Sequence, residues 1–327
     1  MAEASLGVDT GKTKLQVHLL RADGRKRRKA IDNTPDGHEH LMTWLTWHAD
    51  APVRVVIEAT GRYWMDLAMT LHRAAGITVS VVNPARIKYF QRVQLGRGKS
   101  DRIDARAIAE FGRTIQPGAW TPPPAAVLRL RDLVRTREQL VEDITAHRNQ
   151  LQAGGVCAPA RRILERTIAE LRGQLDEVDQ AIRAEIAADP ELARRHALLV
   201  SIPGIGSNAA AGILVELPDV ALFRHPKQVA AYAGLSPAPD QSGETRDKPA
   251  RLCRVGNPNL RRILYMPALS ARRANPCVHA LDARLARQQR LAGKQRVAAA
   301  MRKLLVLCYG VLKTGQPYDP NWAQQAA

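Results

Sequence analysis

Aromatic side chains are scarce: Phe, Trp and Tyr make up 4% of the 327 residues. Stacking platforms of the kind that grip single-stranded nucleic acid regardless of sequence therefore find little support. The cysteines are few and scattered. Cys157, Cys253, Cys277 and Cys308 form no Cys-x-x-Cys pair, which argues against a zinc site or a disulfide framework and fits a reducing compartment. No apolar run reaches the ~18 residues of a membrane span. The opening MAEASLGVDTGK lacks a signal-peptide pattern. A soluble, cytoplasmic protein with no membrane partner is expected.

What the sequence has in excess is positive charge. It carries 49 Lys/Arg against 31 Asp/Glu, a net +18, and its pI is near 10.4. Such a balance calls for a polyanionic partner, of which nucleic acid is the commonest. The excess is divided. Residues 1–115 hold 19 basic against 12 acidic side chains, residues 116–195 hold 12 of each, and residues 196–327 hold 18 against 7. Two basic regions therefore flank a neutral one, and the length allows two or three domains.

Patterning gives each region a character. SLGVD, KLQVHLL and RKRRKAI, with Asp23-Gly24 between the last two, read as a β-meander whose basic third strand suits a sheet edge. A helix near 35–49, the strand VRVVIEA, a helix near 62–75, the strand ITVSVV and a helix near 101–113 follow, which is an α/β layer pattern. QPGAWTPPP, residues 116–124, is a linker by composition. Residues 125–152 and 159–188 are two long charged helices broken at AGGVCAP, and they predict a coiled-coil stalk over 125–195 that mediates self-association; an ordinary helical subdomain is the alternative. From 196 to 327 a mainly helical domain is expected. It opens with HALLVSIPGIGSNAAAGILVEL, which resembles a helix-hairpin-helix whose Gly204 and Gly206 would let backbone N–H groups approach a DNA phosphate. A plain Gly-Pro turn between helices is the other reading.

Four acids stand out by position. Asp9 ends the first strand, Glu58 ends an interior strand, and Asp101 and Asp104 lie three apart at the start of a helix and so share a face. Converging carboxylates stay ionised by holding cations, and hard oxygen ligands select Mg2+ or Mn2+. Two such ions can clamp the attacking and leaving oxygens of a phosphodiester. Each acid also has a plainer use, as a turn residue at Asp9 or as helix caps at Asp101 and Asp104.

A second candidate lies in AGLSPAPDQSGETRDKPARLCRVGNPNLRR. Its Gly, Pro and Asn content reads as a loop on a helical scaffold. It offers Ser236 and Ser242, with Arg246, Lys248, Arg251 and Arg254 close by to hold a phosphate. On the residues alone, a serine in a solvated turn is the favoured reading. Arg261 and Arg262, at the start of the next helix, would contact phosphate or form a charged face.

GVDTGKTKLQVHLL, VIEATGRYW, VNPARIKYFQ and GKSDRIDARAIAEF resemble the RuvC-like domain of the DEDD-type insertion-sequence transposases, the IS110 family, which also includes Piv-type DNA invertases. IPGIGSNAAAGILVEL, HPKQVAAYAGLSPAPDQSG and VGNPNLRRILYMPALSARRANP resemble the C-terminal transposase domain of that family. The resemblance implies an RNase H-like fold for residues 1–115 and a transposase domain over 196–327. It puts Asp9, Glu58, Asp101 and Asp104 on the four metal-binding acids and Ser242 on the catalytic serine. Many relatives carry a second serine in an Ile-Ser-Lys-x-Gly-Asn stretch, where this chain has Leu-Cys-Arg-Val-Gly-Asn with Cys253. The resemblance further implies DNA as substrate, a structured guide RNA from the element, and a homo-oligomer, a dimer that becomes a tetramer on DNA. A metal-only junction resolvase and a non-catalytic nucleic-acid scaffold are the competing functions.

Overall fold

The computed structural model describes residues 3–49, 52–61, 63–93, 101–217, 219–242, 246–253, 255–289 and 291–321, with backbone alone for 101–103, 238–242 and 246–251. The chain divides into two compact units, Met1–Pro122 and Pro123–Ala327.

The first unit is built on a five-stranded mixed sheet. Its strands are β1 (Ala4–Thr10), β2 (Lys14–Leu20), β3 (Lys26–Asp32), β4 (Val53–Glu58) and β5 (Ile77–Val82), in the spatial order β3-β2-β1-β4-β5. The first three form the antiparallel meander, and β4 and β5 run parallel to β1. β3 places Lys26, Arg27, Arg28 and Lys29 in the open at the sheet edge. Alternation along the strands sorts residues onto two faces. Leu6, Val8, Leu15, Val17, Val55 and Ile57 face α1 (Pro35–His48) and α2 (Met65–His72) in one core. The opposite face packs α3 (Pro84–Val93) and α4 (Asp101–Ile115) through Val56, Val82, Ile87, Ile108 and Phe111.

Gly7 allows α4 to lie directly on β1. A Cβ there would sit 2.2 Å from the Ala105 carbonyl oxygen and 2.3 Å from the Ala109 nitrogen. Further along, the Ser5 hydroxyl donates to the Ala109 carbonyl at 2.8 Å, and a Cβ on Gly112 would press on Ser5 and Val56. The helix therefore runs antiparallel to β1, and its N-terminal turn points toward the strand end that carries Asp9.

Among its described residues the second unit is helical except for one ribbon. α5 (Ala125–Gln152) and α6 (Ala158–Ala188) form an antiparallel hairpin. α7 (Pro190–Val200), α8 (Ser207–Glu216), α9 (Pro226–Tyr232), α10 (Pro258–Ala274), α11 (Pro276–Arg287) and α12 (Gly293–Thr314) surround one core. The foot of the hairpin belongs to that core, because Leu130, Val134, Ile182 and Ile186 are buried in the same cluster as α8 and α12. The neutral segment is thus part of the second unit at its foot and a two-helix arm beyond it. No helix of the described residues is long and apolar enough to cross a membrane.

Where the sequence suggested a loop around Ser242, the backbone forms a ribbon of β6 (Pro237–Ser242) and β7 (Arg246–Leu252). Its register shifts between Ala238 and Asp240, which puts Pro239 opposite Pro249 and Ala250. Proline donates no ladder hydrogen bond and is tolerated at such a bulge, so its presence did not bar a strand.

Candidate functional site

Asp9 and Glu58 lie at the carboxyl ends of neighbouring parallel strands. Val8 pairs with Ile57, so the next residues, Asp9 and Glu58, follow side by side onto the face that α4 covers. On β2, Gln16 pairs with Asp9. Asp104 precedes Ala105, the residue against Gly7, and therefore approaches the same end of the sheet from above. Gln91 of α3 donates from Nε2 to Asp104 Oδ1 at 2.9 Å. The Thr60 hydroxyl donates to Glu58 Oε1 at 3.0 Å, and the Thr10 hydroxyl donates to the Glu58 carbonyl at 3.4 Å.

Electrostatics tie the sheet acid to the helix acid. Burial pushes the Glu58 carboxyl above its ordinary range, the Thr60 hydrogen bond partly offsets this, and the Asp104 charge raises it further. Two anions that feel each other across the strand–helix junction are a repulsion that a bound cation would relieve. The donor set fits such an ion in kind: hard carboxylate oxygens, partly removed from water, at the open ends of parallel strands. Among the described residues no group of three or more His, Cys, Asp and Glu is drawn together tightly enough to hold a metal. Asp101 opens α4 one turn before Asp104, and its side chain lies outside the described residues.

The helix Pro84–Val93, and Gln91 with it, was not expected from the sequence. The signal was present: Asn83-Pro84 is a helix start, and Asn83 Oδ1 accepts from the Ala85 N–H at 2.8 Å.

The second candidate region lies on the ribbon of the second unit. Ser242 pairs with Arg246 at the far end of the ribbon, and Lys248 and Arg251 lie along β7. The side chains of Ser242, Arg246, Lys248 and Arg251, and all of Arg254, lie outside the described residues. Three of the proposed phosphate contacts have internal partners. Gly204 has φ +102 and packs against α10, where a Cβ would be 2.7 Å from the Ala271 side chain, so close packing already accounts for this glycine. Arg261 donates to the Ala233 carbonyl at 2.9 Å. Arg262 bonds Glu142 at 2.9 Å and also Glu138, both on α5. Gly206, before α8, has open space at its Cα.

Carboxylates at the carboxyl ends of parallel strands and a net charge of +18 are compatible with a nucleic-acid-processing enzyme of α/β type. Comparison with known families is specific. Residues 6–154 match the transposase model DEDD_Tnp_IS110, and residues 196–283 match the model described as Transposase IS116/IS110/IS902 family. The chain belongs to the IS110 family of transposases and is an enzyme of the DNA transposase and recombinase class. Pilin gene-inverting protein from Moraxella bovis is 28% identical over 324 residues, covering 98% of both chains, and its Moraxella lacunata counterpart is equally similar. The transposase for insertion sequence element IS1111A from Coxiella burnetii is 24% identical over 64% of this chain and 63% of its own.

Proposed function

We propose that this chain cuts and rejoins DNA strands with a divalent-metal carboxylate site and a serine nucleophile. The observation that carries the reading is that Asp9 and Glu58 end neighbouring parallel strands on the face that α4 covers, with Asp104 of α4 near enough for Glu58 to feel its charge. We read the first unit as the RNase H-like, RuvC-like domain of the family. A three-stranded meander followed by two parallel strands with helices on both faces supports that reading. Asp9, Glu58, Asp101 and Asp104 would hold Mg2+ or Mn2+, which when bound supplies charge stabilisation at the scissile phosphate.

The chain's own residues then have separable tasks. Gln91 holds the Asp104 carboxylate in one orientation, and Thr60 does the same for Glu58. Ser242 attacks the phosphorus: an Oγ–P bond forms, one P–O bond to a sugar oxygen breaks, the hydroxyl proton leaves to a base, and the departing oxygen takes one up. The ester so formed keeps the strand joined to protein for later religation. Arg246, Lys248, Arg251 and Arg254 supply positive charge beside the attacked phosphate. The basic regions also suit a structured guide RNA and a homo-oligomer assembled on DNA through the arm.

Strand cleavage of DNA that flanks the gene is the test, with Mg2+ present. Asp9→Asn, Glu58→Gln, Asp101→Asn, Asp104→Asn and Ser242→Ala should each abolish it while DNA binding persists. Cleavage surviving Ser242→Ala would favour the metal-only resolvase. RNA that copurifies with the protein and is required for strand exchange would support the guide.

A further inference from the structure

Glu216, the last residue of α8, is charged yet only 8% exposed. Its carboxylate receives Arg135 of α5 on Oε1 and the Asn257 side-chain amide on Oε2 at 2.8 Å. Its backbone carbonyl accepts from the Tyr232 hydroxyl at 3.3 Å, and Arg131 of α5 reaches the Val215 carbonyl at 3.4 Å. Asn257 has no spare capacity, because its Oδ1 accepts from the Asn259 and Leu260 N–H groups and so caps α10.

These residues surround the root of the ribbon. The chain enters it after Tyr232 and leaves it at Asn257. The two limbs are pinned together by Asn257 N–H to the Tyr232 carbonyl and by Cys253 N–H to the Ser236 carbonyl, both at 2.8 Å. Gly256 is wedged between them, and a Cβ there would be 2.3 Å from the Gly234 nitrogen and 2.6 Å from the Tyr232 carbonyl. Arg261 closes the same ring on Ala233. A buried ion pair adds little net stability compared with apolar residues of the same volume, but its hydrogen bonds are directional. Directionality at a ribbon root sets where the ribbon tip goes.

We propose that Glu216, together with Arg135 and Asn257, is a positioning residue that clamps the β6–β7 ribbon root to α5 and fixes the presentation of Ser242. The catalytic part of the inference rests on Ser242 as nucleophile. The clamp itself does not. Glu216 touches no reacting atom; it acts by holding the limbs on which the serine is carried.

The experiment uses the full chain with Glu216→Gln, Arg135→Gln and the double variant, and with Glu191→Gln, at a surface pair on α7, as control. Hydrogen exchange is read at the amides of 237–252 and at α8 and α12, beside DNA affinity and the cleavage rate at saturating DNA. The expected result is ribbon exchange about tenfold faster with the α8 and α12 amides still protected. The cleavage rate should fall about 10- to 100-fold at unchanged DNA affinity, as for a misplaced reacting group. The control should behave like the parent. If Glu216→Gln does not fold, Tyr232→Phe removes only one hydroxyl of the clamp and should give the same pattern more weakly. Ribbon exchange unchanged in the folded variants, or raised equally throughout the second unit, would overturn the proposal. A loosened ribbon with undiminished cleavage would overturn the positioning role, while the nucleophile itself is judged separately by Ser242→Ala.

Discussion

At the scale of single residues, the first unit depends on what its sheet face will admit. Gly7 is required because α4 backbone occupies the space of a side chain, and the same contact sets the height at which Asp104 meets Glu58. Gly7→Ala should therefore act twice. Overpacking should cost the unit about 1–3 kcal/mol in denaturant unfolding, and strand cleavage should fall further than the folded fraction does. Cleavage that tracks the folded fraction alone would separate α4 seating from the carboxylate site. Two histidines give the same unit a pH signature. Burial lowers the pKa of both His18 and His38; Arg106 adds to the effect at His18, while His38 hydrogen-bonds Asn33 Oδ1 at 2.8 Å. Both therefore take up a proton at lower pH when folded than when unfolded, so the unfolded chain binds protons first. Their contribution is complete above the ordinary histidine pKa of about 6.5 and is lost as pH falls through the lowered folded values. Urea unfolding followed by tryptophan fluorescence should show the parent losing stability below that pH relative to His18→Gln/His38→Gln. A difference between the two proteins that does not change with pH would refute the assignment.

At the scale of elements, the arm can be shortened but not removed. Leu130, Val134, Ile182 and Ile186 lie in the core of the second unit, so deleting residues 125–188 would unfold it, whereas the sequence alone suggested a free stalk. Farther out Leu140, Ile144 and Ile168 are buried, whereas Val141 and Ile163 are exposed. Replacing residues 146–165 by a short Gly-Ser turn should keep the fold and DNA binding but reduce self-association in light scattering. An unchanged mass would show that copies associate elsewhere. Legibility followed the same division. The meander, the buried strands and the long helices were readable because their apolar periods are strong and local. The ribbon was not, because its prolines signal a loop and its strand character comes from pairing across the turn. The internal partners of Arg261, Arg262 and Gly204 were unreadable for a related reason: a basic or glycine-rich stretch looks the same whether its partner is a phosphate or a helix more than a hundred residues away, as Glu138 and Glu142 are from Arg262.

At the scale of the whole molecule, the proposed chemistry asks two parts of the chain, well apart in sequence, to act on one phosphodiester. The acids belong to Met1–Pro122 and Ser242 to Pro123–Ala327, while the reacting atoms must come within about 3–3.5 Å. If the acids of one copy work with the serine of another, mixing Asp101→Ala and Ser242→Ala proteins, each inactive alone, should restore partial strand exchange. A mixture that assembles on DNA yet stays inactive would place both functions in one chain. The central claim, that a serine carries the cut strand, has a direct chemical readout. The protein is incubated with Mg2+ and DNA that flanks its gene, denatured, digested and sequenced by mass spectrometry. The account predicts a nucleotide joined through a phosphodiester to Ser242, absent with EDTA and in Glu58→Gln. DNA cleaved with no strand attached to protein, or attached at any other residue, would contradict it.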